Sequence, residues 1–449
     1  MFREKYNQGK LLREKAPRAS HGKWAAPIGR PSVGSMIAQS NNGRLEKLVP
    51  IRHFRMSKSP FTFYRGTASL MARDLSFTLS SGIQVQACGD CHLMNFGGFA
   101  TPERTLVMDI NDFDETNPAP WEWDLKRLAT SFTLACRDRG FSESDGLDVT
   151  MAAVSSYREK INEYAAMNFL DLWYSKLTLE EIQRTAKTKE GKERITKAIA
   201  KANDQTHDTV FYKITTETLG KIEITDQTPL IYHPLNVEED MQKIMAFMEQ
   251  YKSTMQRDRK LLLDQYNIID VALKVVGVGS VGTRCLVALM MNDNKEPLFL
   301  QVKEAQQSVL EPYTSQSEFQ HRGERVVRGQ RLIQSASDVF LGWATDLEGR
   351  HYYLRQLRDK KMSARVELFS KTVLGGYAHI CGNILARAHC KTGQGPFICG
   401  YIGKKDIFLD AICQFATGYA DQTERDYKDF MRAIKTGKLE IADDTPKEI

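Results

Sequence analysis

The spacing of hydrophobic residues changes along the chain and separates helical stretches from strand-like ones. Apolar residues that recur every three to four positions predict amphipathic helices. This spacing is found at 61–80, 121–138 and 144–169, in pieces on to about 265, and then at 315–335, 363–389 and 407–435. We therefore expect a broad helical block in the middle of the chain and further helices near its end.

A second group of segments is short and either alternating or rich in β-branched residues, as strands are. These segments are 83–87, 105–110, 270–276, 283–291, 297–303, 339–345 and 351–356. The first two are separated by a loop containing Gly and Pro and could pair as an irregular hairpin. The last five predict a small antiparallel sheet, so the expected fold class is α+β.

Composition also indicates how the chain is organised. Residues 1–50 are rich in Gly, Pro, Ser and basic residues, which predicts an extended arm. We expect a helical lobe at 51–265, a small sheet lobe at 266–358, and C-terminal helices at 359–449 that complete the larger lobe. The predicted architecture is therefore two-lobed, and the sequence contains no internal repeat.

Composition and charge exclude several classes of protein. With 449 residues, 42% of them hydrophobic, the chain can bury a sizeable core. The net charge of +6 is a weak indication of nucleic acid, and we expect no such partner. No run approaches the roughly 18 apolar residues of a membrane span, and the N-terminus lacks the apolar core of a signal peptide. We expect a cytoplasmic protein with no membrane partner, and the eight scattered cysteines suit a reducing compartment. The oligomeric state stays open.

A glycine-rich segment carries the first sign of chemistry. Gly277, Gly279, Ser280 and Gly282 lie in the run GVGSVG between two predicted strands. A Rossmann interpretation of this spacing requires a helix after it, whereas a following strand is typical of the loop that covers ATP phosphates in kinases. Lys303 ends the next strand, in the place of the lysine that pairs with those phosphates, and is a candidate catalytic and nucleotide-binding residue.

In kinases a glutamate on the next helix pairs with this lysine. Glu318 and Glu324 both fall in the helix predicted at 315–335. We favour Glu324 slightly because it begins a coherent amphipathic stretch, but the sequence does not decide between them, and either could be a surface charge.

The strongest constellation consists of two clusters, CGDCHLMNFG from Cys88 and VMDINDFD at 107–114. The first places Asp90 and Asn95 five positions apart after a strand, and the second ends a strand in acidic residues. Phosphoryl transfer needs one carboxylate to orient the acceptor hydroxyl, and an amide oxygen with a second carboxylate to hold Mg²⁺. The clusters therefore predict ATP and Mg²⁺ as ligands. The plainer alternative is that these residues cap turns in a solvated loop.

Two other interpretations concern the cysteines of the first cluster. Cys88, Cys91 and His92 satisfy C-x-x-C-H, the attachment motif of c-type haem, but haem attachment requires export and no export signal is present. The same three residues could bind zinc, yet no second Cys/His pair stands at ligand spacing. We regard both as minor alternatives.

The two clusters resemble the catalytic and metal-binding stretch of the aminoglycoside phosphotransferase and choline kinase branch of kinase-like enzymes, which reads roughly H-G-D-x-H-x-x-N and then I-D-F-D. The resemblance implies that Asp90 is the catalytic base and that Asn95 and Asp112 bind magnesium. Cys88 replaces the first histidine of that pattern.

The same resemblance implies roles for other acidic residues. Asp114 or Asp109 could share the metal, and Asp124, in the downstream D-L-x-x-L-A run, would support the loop.

The chain as a whole is similar to the bacterial family known as domain of unknown function 2252. The resemblance rests on RMSKSPFTFYRGTA, GDCHLMNFG, FLQVKEA, RVVRGQR and LARAH and covers about residues 20 to 430. It implies no established activity.

The order of the motifs is reversed relative to ordinary kinases, in which the glycine-rich sheet precedes the catalytic loop. A kinase-like fold must therefore be circularly permuted, which termini lying close together would allow. We expect a Mg²⁺-requiring, ATP-dependent phosphotransferase acting on an unidentified hydroxyl acceptor. A catalytically weak nucleotide-binding regulator and an AMP-transferring enzyme on the same scaffold remain alternatives. All three require Lys303 and the acidic cluster to face each other across one cleft.

Several arginines could recognise an anion, although we expect most of them on the solvated surface. They are Arg325, Arg328, Arg331, Arg355 and Arg358.

Overall fold

A computed structural model describes residues 2–186, 188–204, 207–218, 220–235, 237–357 and 360–444. The protein is α+β, as the sequence predicts. The helices of the first half are α1 Phe2–Leu11, α2 Val33–Ser40, α3 Val49–Met56, α4 Pro60–Arg65, α5 Ala68–Leu75, α6 Trp121–Asp138, α7 Glu143–Ala166, α8 Phe169–Tyr174, α9 Leu179–Thr185, α10 Lys189–Asp204 and α11 His207–Ile214. The later helices are α12 Met241–Ser253, α13 Arg257–Leu263, α14 Arg322–Ile333, α15 Lys371–Lys391, α16 Gly395–Ile402 and α17 Ile407–Lys435.

The strands pair antiparallel in several small sheets. Those before the central helices are β1 Gln84–Ala87, β2 Phe96–Ala100, β3 Leu106–Ile110 and β4 Asn117–Pro120. The later ones are β5 Thr215–Thr218, β6 Lys221–Ile224, β7 Ile231–Tyr232, β8 Asn267–Lys274, β9 Cys285–Met291, β10 Pro297–Glu304, β11 Gly342–Thr345, β12 His351–Gln356 and β13 Met362–Ser363. Within the part of the chain described, no helix is both long and apolar enough to cross a membrane.

The largest sheet has six strands in the order β11-β12-β10-β9-β8-β7. Its central strands β9 and β10 are buried along most of their length because apolar clusters cover both faces. Val302 points to the cluster under α12, and its neighbour Lys303 therefore points to the opposite face. The five strands expected after residue 266 all form, and β7 extends the sheet.

The helical region is built on α6, α7, α15 and α17, which share one large apolar core. Trp121 opens α6 and stacks on Tyr157 of α7 with ring centroids 5.6 Å apart. α6 and α17 have the bounds predicted from their spacing, because their apolar faces are continuous from end to end.

The N-terminal segment is not the extended arm that its composition predicts. It contains α1, which packs against α16, and α2, which packs against α17. Arg30 lies between Asp74 and Asp426, with guanidinium–carboxylate distances of 2.6–2.9 Å. Tertiary contacts of this kind, rather than local propensity, order the segment.

The hairpin expected between residues 83–87 and 105–110 also pairs differently. β1 pairs with β4, whereas β3 pairs with β2, a strand of sequence FGGFA that lies inside the predicted loop. A Cβ at Gly97 would lie 2.3 Å from the Asn111 amide and 2.7 Å from the Met362 carbonyl. Only glycine allows this approach, so the residue type that argued for a loop is the one that the strand requires.

Candidate functional site

A cavity of about 710 Å³ lies between the six-stranded sheet and the β2–β3 hairpin. Its lining includes Gly277 and Ser280 of the glycine-rich segment, Lys303 of β10 and Asp112 beyond β3. Among the described lining residues the basic side chains outnumber the acidic ones. The basic ones are Arg104, Lys274, Lys303, Arg355 and Lys361, and the acidic ones are Asp112 and Asp338. The cleft therefore suits an anionic ligand, although the whole chain is nearly balanced in charge.

Lys303 faces the acidic cluster. Its Nζ donates to Asp114 Oδ2 at 2.7 Å and lies 3.9 Å from Asp112 Oδ1. Burial, with only 4% of the residue exposed, opposes the charge of Lys303, but the two aspartates outweigh it and raise the pKa of the lysine well above its ordinary value. Lys303 is thus held as a cation at the cavity wall.

Both carboxylate oxygens of Asp114 accept hydrogen bonds. Oδ2 accepts from Lys303, and the other oxygen accepts a hydrogen bond of 2.5 Å from the Tyr353 hydroxyl. Burial raises the pKa of Asp114, but Lys303, Tyr353 and Arg355 together outweigh it and the net shift is downward. With both oxygens engaged, Asp114 is placed to orient the lysine more than to bind a metal.

Neither glutamate proposed as the partner of Lys303 contacts it. α14 begins only at Arg322, because His321 caps it by accepting a bond of 3.1 Å from the Glu324 amide. Glu318 consequently lies exposed in the preceding loop. The Glu324 carboxylate pairs with Arg328 on the outer face, 3.2 Å away. The prediction of a helix-borne glutamate at this lysine is therefore wrong, and the carboxylate that contacts Lys303 is that of Asp114.

The loop after β1 carries Asp90 and Asn95. Asp90 Oδ1 accepts a 2.5 Å bond from Nε of Arg127, a residue of α6 that is nearly fully buried. Burial nonetheless raises the pKa of Asp90 above its usual value. The Asn95 amide nitrogen donates to the Asp90 carbonyl at 2.6 Å, so its oxygen is the atom left to accept a cation.

Asp90 does not itself line the cavity. The Asn111 amide donates to the Asn95 carbonyl at 2.9 Å, which joins the loop to the end of β3 directly before Asp112. The negative charge of Asp114 contributes to the raised pKa of Asp90, as expected of neighbouring carboxylates. The loop and the acidic cluster therefore form one continuous site.

Asp124 supports the loop from below. Its carboxylate accepts the backbone amides of Cys88 and Gly89 at 2.8 and 3.0 Å, and His389 Nε2 lies 3.3 Å from it. Gly89 has a φ of +85°, and a Cβ there would lie 2.3 Å from the Glu115 carbonyl. The glycine and the aspartate thus set the path of the chain into Asp90.

Asp109 does not take part in the site. It is fully buried and both of its oxygens accept from Arg387 of α15, at 2.6 and 2.7 Å. The backbone amide of Ser335 donates to it at 2.7 Å. The suggestion that Asp109 shares a metal is therefore wrong, because its position in β3 points it into the helical core.

Oxygen ligands suitable for magnesium remain at Asn95 and Asp112. The Asp112 side chain is 33% exposed, and beyond its 3.9 Å approach to Lys303 it accepts a weak bond of 3.3 Å from the Asp114 amide. Burial and the charge of Asp114 raise its pKa, which a bound cation would reverse. An amide oxygen and a carboxylate fit the preference of Mg²⁺ for few, hard protein ligands.

Arginines hold the glycine-rich segment by its carbonyl groups. Arg55 donates to Gly277 O and Arg44 donates to Val281 O, each at 2.6 Å. Gly277 and Gly282 have φ angles of +66° and +91°, which side chains other than glycine rarely adopt. No pattern in the sequence indicates that the N-terminal segment supports this loop.

Two arginines expected at the surface lie at the site instead. Arg355 lines the cavity and donates to Gln301 Oε1 at 2.9 Å and Asn111 O at 3.0 Å. Arg325, which is 2% exposed, donates to the backbone of Asp114 at 2.8 Å. Strand alternation could have identified Arg355, which lies opposite Gln301 on the strand beside Lys303. Arg358 lies outside the described residues.

The cysteines of the loop do not assemble a zinc or haem site with His92. Ligand atoms of Cys88, Cys91 and Asp124 lie within 4.8 Å of one another. However, His92 turns away, with Nδ1 accepting from the Met94 amide and Nε2 3.8 Å from Asp90. Burial raises the pKa of both thiols, which keeps them neutral. The three groups form the packed underside of the loop.

Comparison with known proteins gives one match. The family described as "Uncharacterized protein conserved in bacteria (DUF2252)" matches residues 44–433. No curated protein and no solved structure matches the chain.

Proposed function

Since the chain belongs to the DUF2252 family, whose description names no activity, we propose from its cleft alone that it is a magnesium- and ATP-dependent phosphotransferase acting on a hydroxyl acceptor. The observation that carries the proposal is the contact of Lys303 with Asp114 and Asp112 in a cavity that the glycine-rich segment also lines. A fixed cation, backbone amides and carboxylates around one cavity are the parts that phosphoryl transfer uses.

The proposal includes a kinase-like, circularly permuted, two-lobed fold. Its support is the order of elements around the cleft, where β8, the glycine-rich segment, β9, the lysine strand β10, α14, β11 and β12 follow one another. In kinases these parts precede the catalytic loop, whereas the loop of Asp90 precedes them here. A circular permutation changes which elements are connected along the chain but leaves their arrangement in space the same.

In this proposal the nucleotide phosphates lie under residues 277–282 and against Lys303. Arg44 and Arg55 hold that segment by two of its carbonyl groups, and the Val281 amide donates to Val278 O at 3.5 Å, so the other amide groups of the segment would donate to the anion. Asp114 and Tyr353 keep the lysine pointed at the cavity, so little rearrangement is needed when the nucleotide binds.

Asp90 would orient the acceptor. The hydroxyl oxygen attacks the γ-phosphorus of ATP. The bond from that phosphorus to the β,γ-bridging oxygen breaks, and ADP leaves with the electron pair. The hydroxyl proton passes to Asp90, whose raised pKa favours accepting it. Arg127 holds the carboxylate in place for that transfer.

Asn95 and Asp112 would hold the magnesium ion, which supplies charge neutralisation for the phosphates when bound. Asp112 lies next to the cation of Lys303, so metal and lysine would act on neighbouring phosphate oxygens.

A second candidate is a nucleotide-binding regulator that transfers little. The 2.5 Å ion pair between Asp90 and Arg127 favours it, because the guanidinium opposes the rise in the pKa of Asp90 and makes the carboxylate a weaker base than burial alone would. Transfer of AMP on the same scaffold is the third possibility, and it would release pyrophosphate where phosphoryl transfer releases ADP.

The test combines binding with identification of products. We expect Mg-ATP to raise the melting temperature of the wild type, and Lys303→Met to abolish that rise while Lys58→Ala, an exposed charge removal, keeps it. With γ-labelled ATP and a bacterial extract as the source of acceptors, label should reach an acceptor and ADP should appear. AMP and pyrophosphate would indicate nucleotidyl transfer, and binding without any transfer would indicate the regulator. Absence of binding by the wild type would refute all three.

Asp90→Asn separates binding from turnover. The variant should bind Mg-ATP within about twofold of the wild type, whereas transfer should fall by about 10²–10⁴ because the proton acceptor is lost. An unchanged transfer rate would remove Asp90 from the mechanism.

A further inference from the structure

Arg65 is the last residue of α4 and lies beside the glycine-rich segment. A Cβ added to Gly279 would lie 3.3 Å from the carbonyl oxygen of Arg65. The tip of the segment that would cover the phosphates is therefore in contact with the end of α4.

The other side of α4 is tied to the residue that grips Asp90. The Tyr64 hydroxyl donates to the Arg127 carbonyl at 2.8 Å, and the Arg127 guanidinium donates back to the Tyr64 carbonyl at 3.1 Å. The same guanidinium holds Asp90. Arg65 follows Tyr64 directly and so stands between the tip of the glycine-rich segment and the Asp90 carboxylate.

The Arg65 side chain has hydrogen-bonding capacity that the described protein does not use. Its Nε is buried and has no hydrogen-bond partner among the described residues. A buried donor left without an acceptor is costly, so such a group is usually satisfied by a ligand or water. The charge of Arg65 opposes the rise in the pKa of Asp90 and adds to the lowering of the pKa of His92 that burial causes, which agrees with a guanidinium close to both.

We propose that Arg65 binds the phosphoryl group as it passes from the nucleotide to the acceptor, an inference that rests on the proposed function. In the phosphotransferase scheme this group lies between the glycine-rich segment and Asp90, the two features that the end of α4 connects. A guanidinium fork suits phosphate oxygens better than an ammonium does. An arginine placed on the transferred group is worth about 10³–10⁵ in turnover in other phosphoryl-transfer enzymes.

Mg-ADP with and without aluminium fluoride tests this role, since aluminium fluoride occupies the place of the transferred group. Dissociation constants are measured by calorimetry on the full chain for wild type, Arg65→Ala, Arg65→Lys and Lys58→Ala. We expect aluminium fluoride to tighten ADP binding at least tenfold in the wild type and in Lys58→Ala. Arg65→Ala should lose that gain while its affinity for ADP alone changes less than twofold, and Arg65→Lys should keep part of it.

The other outcomes overturn the inference and differ from one another. If Arg65→Ala keeps the full gain, Arg65 does not contact the transferred group. If it weakens ADP alone by the same factor, Arg65 serves the nucleotide as a whole. If wild type binds no nucleotide, the proposed function itself fails. Melting temperatures without ligand show whether each variant is folded. If Arg65→Ala is unfolded, the gain in ADP affinity with aluminium fluoride is measured on Arg65→Lys, and a full gain there overturns the inference.

Discussion

Lys303 Nζ and Asp114 Oδ2 are 2.7 Å apart, although 189 positions separate the two residues in the chain. The pair joins the six-stranded sheet to the segment that follows the β2–β3 hairpin. Each partner is fixed by a further neighbour, Lys303 by its strand and Asp114 by the Tyr353 hydroxyl. The contact therefore positions the cleft walls relative to each other as well as orienting the lysine.

Removing Asp114 should destabilise the fold by leaving a buried cation poorly compensated. We expect Asp114→Asn to lower the free energy of unfolding by about 2 kcal/mol, less than for a fully buried pair because 26% of its side chain is exposed. Urea unfolding of both single variants and of the double variant with Lys303→Met should give a coupling of about 1–2 kcal/mol. The matched cycle with Asp112→Asn, whose carboxylate is 3.9 Å from the lysine, should give a smaller one. Additive effects in the first cycle would show that the contact is not formed.

Short-range sequence patterns predicted the elements correctly where neighbouring residues determine the structure. The strand 297–303, the lysine at its end and the turn of glycines before it all depend on neighbours within about ten residues, as alternation and turn chemistry do. The bounds of α6 and α17 likewise follow from a continuous helical spacing.

Sequence patterns gave wrong or no predictions where contacts between residues far apart in the chain determine the local structure. The strand FGGFA contains two glycines and has low strand propensity, and only the approach of Asn111 and Met362 explains it. The glutamate expected beside Lys303 is replaced by an aspartate from another part of the chain, which no spacing rule could indicate. Arg65 and Arg44 gave no signal either, because their roles come from packing of the N-terminal helices against the cleft.

The same substitution should affect mainly stability at Asp109 and mainly ligand binding at Asp112. Asp109→Asn should lower the free energy of unfolding by about 3–5 kcal/mol, because it leaves the buried Arg387 without its counterion. Asp112→Asn, at a partly exposed position, should cost less than about 1 kcal/mol but weaken Mg-dependent nucleotide binding at least tenfold. Urea titration and calorimetry with Mg-ATP separate the two effects. A large loss of stability in Asp112→Asn and none in Asp109→Asn would reverse the assignment of structural and ligand roles.

Buried His21 should make stability depend on pH below neutrality. Burial, aided by Lys126, lowers its pKa from 6.5 to about 3. Between these values the unfolded chain binds more protons than the folded one, so the contribution of neutral His21 is complete above pH 6.5 and is lost as the pH falls toward 3. Relative to His21→Gln, which can still donate to Tyr401, the wild type should lose up to about 1.4 kcal/mol per pH unit in that window. Urea unfolding of both proteins between pH 4.5 and 7.5 measures the difference, and parallel curves would contradict it.

Gly89 offers a test of how tightly the Asp90 loop is held. Its φ of +85° already disfavours a side chain, and a Cβ would lie 2.3 Å from the Glu115 carbonyl, while Asp124 holds the amide of the same residue. Gly140 has a similar φ of +70° with nothing within 4 Å of an added Cβ, so Gly140→Ala measures the backbone strain alone.

We expect Gly140→Ala to cost about 1 kcal/mol and Gly89→Ala about 3 kcal/mol or more, because the second substitution must also displace the backbone beside Asp114. Thermal and urea unfolding of the two variants provide the comparison. Equal costs would mean that the loop yields easily at Glu115, and Asp90 would then lack the rigid placement that orientation of an acceptor hydroxyl requires.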